Sequence, residues 1–149
     1  MDLEERLVAV LTVLPQELAF GQEEPGVILD RYYTPEIVHV NDGIALDRDR
    51  LVAHVRPARR NGRLLRVEVH ETLVSGDRAA ARYTLHAVMR KGKAVTTEIY
   101  MFARFAPDGR VHRIDSVTRP LPAPDPDPDP DPSADSDSGS GSGSGGSGE

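Results

Sequence analysis

Apolar residues recur along the chain with two different periods, and the change between them divides it. Leu3, Leu7, Leu11 and Leu14 fall on one face of a helix, and Leu18 continues that face. Asp2 is placed to cap this helix, with Glu5 three residues on to complete a capping box. Pro15 is expected to kink or divide the helix near its end, because it has no N–H to give. A second, short helix is predicted from Pro25, suited to a first turn, through Val27, Ile28 and Leu29 to Tyr32 and Tyr33. Pro35 forbids much continuation, since it pushes Thr34 out of helical geometry. Ile37 to Asn41 alternates and reads as a short strand ended by the turn Asp42-Gly43. Asp47 then caps a third helix, with Leu46 and Leu51 as a hydrophobic staple, and Pro57 and Asn61-Gly62 stop it.

From Leu64 the period becomes two. The runs Leu64–Ser75, Arg78–Met89, Lys93–Ala106 and Val111–Thr118 are rich in β-branched and aromatic residues, and each break carries turn chemistry. Three helices followed by an antiparallel meander predict an α+β domain with its helices on one face. Val67, Val69, Tyr83, Leu85, Ile99, Met101, Phe105, Val111 and Val117 lie on alternate positions. Tyr100, Phe102 and Ile114 lie on the other parity. A second apolar face suggests a partner, most simply a second copy, so a homodimer is expected.

The pattern stops at Pro122. Alternating Asp-Pro and then Ser-Gly fill residues 122–149, which are expected to be a disordered tail behind a domain of residues 1–121. The split changes the reading of charge. The chain has 24 acids and 18 bases, a net of −6, but seven of the acids lie in the tail with no base beside them. The domain therefore holds 17 acids against 18 bases, so the net charge says nothing of an acidic binding face. Absence of cysteine excludes disulfides, thiolate zinc sites and cysteine nucleophiles. No apolar run has the length of a membrane span and residues 1–20 lack signal-peptide features, so a cytoplasmic protein without a membrane role is expected. Arg48, Arg50, Arg56, Arg59, Arg60, Arg63 and Arg66 form a basic stretch. Acids dilute it and no aromatics interleave, so it reads as a solvated helix face and loop, and no nucleic-acid partner is expected.

The order of elements, with the segments YYTPEIVHVNDG (Tyr32–Gly43), VEVHETLVSGDRAAARYT (Val67–Thr84) and FARFAPDGRVHRIDSVTRP (Phe102–Pro120), resembles the SnoaL-like branch of the NTF2-like superfamily. The resemblance spans about residues 3 to 121. It implies an NTF2-like cone, in which a curved, mostly antiparallel sheet wraps three N-terminal helices around a pocket, often in sheet-to-sheet dimers. It does not imply one activity, since such folds host isomerases, cyclases, hydrolases and non-catalytic binders. The ketosteroid-isomerase branch keeps a base where this chain has Asn41 and a protonated Asp where it has Met101. The cyclase pattern needs a His and an Asp at positions matching Ile114 and Ser116. Asp115 is one residue away, and strand alternation points it to the opposite face unless a bulge intervenes.

The same alignment places Arg82, Thr84 and His86 toward the pocket. His86 could then serve as acid, base or hydrogen-bonding group, with Arg82 as an anion anchor and Asp42 assisting from the pocket mouth. Against this, Arg82 can pair with Glu98 across the sheet, His86 can sit half exposed, and Asp42 suits a turn. Expected pocket-lining residues are Tyr33, Asn41, Thr84, Ile99, Met101, Ile114 and Ser116. His39 and His54 read as surface or satisfied core. No histidine pair has a compact ligand spacing, so neither a metal site nor a cofactor is implied. The first functional expectation is a pocket protein binding a small apolar or carbonyl-containing molecule. The alternatives are a small isomerase, cyclase or lyase built on His86, Arg82 and Asp42, and a protein-interaction module using the sheet face or the tail.

Overall fold

The computed structural model describes residues 2–122, so the expectation for the tail lies almost wholly outside the described residues. Helix α1 (Leu3–Phe20) opens with the capping box, Asp2 accepting from the Glu5 N–H while the Glu5 carboxylate accepts from the Asp2 N–H. Pro15 lies inside α1 and does not divide it. Helix α2 (Pro25–Tyr32) begins on its proline, and strand β1 (Tyr33–Asn41) follows directly, longer than the alternation alone suggested. The Asp42-Gly43 turn leads into strand β2 (Ile44–Asp47), which pairs back on β1. Helix α3 (Arg48–Asn61) is capped by Asp47, and it runs through Pro57 to end at Gly62. The meander follows as β3 (Gly62–Ser75), β4 (Arg78–Met89), β5 (Ala94–Phe105) and β6 (Val111–Leu121).

The six strands form one sheet in the order β2-β1-β6-β5-β4-β3. Every pairing is antiparallel except β1 with β6. The sheet's inner face packs on the helices around a core that includes Leu7, Leu11, Leu14, Ile28, Leu29, Tyr33, Met101 and Ile114. Arginines clamp the helices together. Arg48 pairs with Asp30 at 2.9 Å, tying α3 to α2. Arg59 donates to the Leu18 carbonyl at 2.7 Å and the Glu17 carbonyl at 3.3 Å, closing the C-terminus of α1. Among the described residues no helix is long and apolar enough to cross a membrane.

Two irregularities in the ladder decide which side chains face the helices. Between Val69 and Glu71 the register of β3 slips, so Val67 and Val69 face inward while Glu71 and Leu73 follow Arg82 and Ala80 outward. Between Val111 and Arg113 of β6 a second slip leaves His112 as the extra residue. A bulge adds one residue to one strand and so reverses parity beyond it. Ile114 is therefore buried against the helices and Val117 is exposed, the reverse of the grouping that unbroken alternation gave. Asp115 does lie on the outer face, opposite Phe102.

Candidate functional site

Between the helices and the inner sheet face lies a cavity of about 270 Å³. Helix α1 supplies Val10, Leu11, Leu14, Pro15 and Leu18, and α2 and α3 add Leu29 and Leu51. The sheet supplies Tyr33, His39, Leu65, Val67, Tyr83, Leu85, Ile99, Met101 and Ile114. Only His39, Tyr33 and Tyr83 in that wall carry strong hydrogen-bonding side chains, and none of the lining residues is a carboxylic acid.

Tyr33 caps α2 and begins β1, which turns its ring inward. Burial, and then the neighbouring Tyr83, push its phenol well above the ordinary range. Burial pushes Tyr83 up to about 12. Both hydroxyls therefore stay protonated and can donate. Tyr32, one residue earlier, points elsewhere and donates to Glu17 at 3.1 Å.

His39 stands on β1 opposite Ile114 of β6. Its Nε2 is 3.2 Å from the Ser116 hydroxyl, which donates to Asn41 Oδ1 at 2.8 Å. A hydrogen-bonded chain His39–Ser116–Asn41 thus crosses the parallel seam between β1 and β6. Burial holds the His39 pKa below that of a free imidazole, with Asp115 opposing the shift. Asn41 and Ser116 do not line the cavity themselves; they fix the ring that does.

Tyr33, Ile99, Met101 and Ile114 are thus in the wall, while the proposed catalytic set is not assembled there. Arg82, Thr84 and His86 lie on the outer face of β4, because Tyr83 and Leu85 between them face inward and alternation allows no other outcome. Arg82 reaches Glu71 at 3.5 Å and Glu98 at 3.7 Å, and His86 reaches Glu68 at 3.4 Å. Thr84 is buried and bonds His70 at 2.7 Å. Asp42 adopts a left-handed turn conformation with φ 51°. Its carboxylate accepts from the Thr118 hydroxyl and from the Thr118 N–H, which holds its pKa below the usual carboxylate range. It staples the β1–β2 turn to β6. The group that sequence reasoning passed over is His39. It alternates with Val38 and Val40, so both parities looked apolar, and only the β6 partner shows which side carries the cavity.

The outer sheet face carries a continuous apolar patch. Phe102 is 68% exposed, Leu73 66%, Val117 59% and Tyr100 49%. Pairings link them, Leu73 to Ala80 to Phe102 and Arg82 to Tyr100 to Val117.

Comparison with known proteins agrees with this architecture. Residues 20–114 match the SnoaL-like domain family. An uncharacterised protein of Schizosaccharomyces pombe, C11D3.04c, is 28% identical over 87 residues, 58% of this chain. The matched region spans 66% of that relative, just under two thirds of its length. An NTF2-like protein of unknown function from Exiguobacterium sp. superposes with a TM-score of 0.63 at 18% identity, covering 79% of this chain and 98% of the other. AclR of Streptomyces galilaeus, a candidate hydroxylase, superposes at 0.61 with 21% identity, covering 79% and 91%. IdmH of Streptomyces antibioticus, a candidate polyketide cyclase, gives 0.61 at 12% identity, covering 79% and 92%. At these identities the likeness is one of fold.

Proposed function

The chain belongs to the SnoaL-like domain family, and from that premise we propose that it binds one small, largely apolar molecule in the cavity. The observation that carries this is the lining: a mostly hydrocarbon wall with three hydrogen-bonding side chains, His39, Tyr33 and Tyr83. Its size sits just below the roughly 300–1,000 Å³ usual for ligand pockets, which favours a compact ligand. A molecule that binds only the folded chain stabilises it by RT ln(1 + [L]/Kd), about 2.7 kcal/mol at a hundredfold excess over Kd. A thermal-shift screen of compact apolar alcohols, phenols and ketones should therefore return hits. Leu85→Trp, which fills the cavity from β4, should abolish the shift while far-ultraviolet circular dichroism stays native. No hit, or a shift that survives Leu85→Trp, sinks the proposal.

A catalytic centre made of His86, Arg82 and Asp42 finds no support in this geometry, since none of the three lines the cavity. We also propose that two copies pair through the outer sheet face. The exposed patch of Leu73, Tyr100, Phe102 and Val117 supports this, and so do its flanking charges. Arg82 with Glu71, Arg113 with Asp115 and Arg119 with Glu98 bring both signs to one face, which suits contact with itself. Size exclusion with light scattering at micromolar concentration should give a dimer mass, and Phe102→Glu should halve it. A monomeric wild type rules the pairing out.

A further inference from the structure

Resting on that reading of the cavity, we propose that His39 presents an unprotonated Nδ1 to the ligand, which therefore carries a hydroxyl: an alcohol, phenol or enol on an apolar body. A serine hydroxyl has one hydrogen to give. Ser116 gives it to Asn41 Oδ1 at 2.8 Å. Toward His39 Nε2, at 3.2 Å, the same oxygen can only accept, so Nε2 carries the hydrogen. A neutral imidazole has one N–H, so Nδ1 keeps a lone pair. Among the described residues no side chain or backbone group hydrogen-bonds that nitrogen, and the ring lines the cavity.

Burial favours the neutral ring, in keeping with this tautomer. Asp115 is the acid that acts on it from β6, and Arg113 holds that carboxylate on the outer face. A ketone oxygen would set its lone pair against that of Nδ1, whereas a hydroxyl satisfies it. Tyr33 and Tyr83, both protonated, remain available to donate to the same oxygen. Ser116 and Asn41 are positioning residues in this scheme, since they select the tautomer without lining the cavity.

The test uses the full chain and two probes, 2-naphthol and its methyl ether, followed by titration calorimetry. A well-made hydrogen bond should favour 2-naphthol by about tenfold. In His39→Phe the ratio should fall to about one, which separates the hydrogen bond from any preference of the cavity for the smaller probe. Ser116→Ala should lower the ratio partway, because the ring is then free to take the other tautomer. Nitrogen-15 NMR of the imidazole in the wild-type chain should show Nε2 protonated and Nδ1 bare, a readout that survives even if a variant misfolds. Equal affinity for the two probes in the wild type, a ratio unchanged in His39→Phe, or a protonated Nδ1 overturns the proposal while the pocket reading stands. Failure of both probes to bind overturns both.

Discussion

Because burial lowers the His39 pKa, the unfolded chain binds a proton at that residue before the folded chain does. The stability that neutral His39 contributes is fully present above the free imidazole value of about 6.5, and it is lost as pH falls through the lower folded value. Wild type should therefore lose melting temperature relative to His39→Phe as pH falls below about 6.5, since the variant has nothing to protonate there. Parallel pH profiles for the two proteins would contradict the burial argument. Thr34 is buried at the start of β1. Its Oγ1 is a buried side-chain oxygen without a hydrogen-bond partner among the described residues. Thr34→Val keeps the shape and removes the unpaired group, so it should stabilise the fold by about 1 kcal/mol in urea denaturation. No change, or destabilisation, would show that a water serves that oxygen. Neither residue was legible in the sequence. Burial at His39 depends on the β6 register, and an orphan hydroxyl is invisible until its neighbours are placed.

Among the elements, the helices were legible where their caps were. Asp2 with Glu5 and Asp47 mark their starts in the sequence, and the structure keeps both. Prolines misled at their interiors: Pro15 and Pro57 each remove one hydrogen bond, yet both helices run through them. The strand limits were close because turn residues punctuate them, but the two bulges were not readable. Each is one extra residue in a pattern that looks regular, and each reverses which side chains face the cavity. The placement of Arg82, Thr84 and His86 failed for a related reason. It followed an alignment across distant relatives rather than the strand's own alternation, in which Tyr83 and Leu85 are the inward pair. Helix α1 has no basic residue in its last turn, and Arg59 of α3 supplies one from outside. Arg59→Met should cost about 1 kcal/mol, measured by chemical denaturation, through loss of charge-assisted bonds to the last carbonyls. Arg59→Lys should recover only part of it, since one ammonium cannot reproduce the guanidinium fork.

For the molecule as a whole, charge and apolar content change at the same boundary. Residues 122–149 hold seven of the 24 acids and almost no apolar side chains. Deleting residues 123–149 should leave the melting temperature within about 1 °C, because almost nothing in that segment can be buried. A larger loss would mean that the segment contacts the domain.

Within the sheet, β6 is the strand that joins the two parts of the domain. It lies between β1 and β5, parallel to one and antiparallel to the other. Of the described elements it is also the last to leave the ribosome. Until it does, β1 and β5 each offer an open edge, and an open edge is a template for the wrong chain. The nascent protein therefore passes through an interval in which most of its strands exist but its sheet does not, and a chaperone able to shield those edges should raise the yield of native chain. Ser116 arrives on that same strand. His39 at the cavity wall gains its Ser116 partner only once β6 is in place, so a chain still lacking that strand would not hold the ring as the proposed ligand site requires.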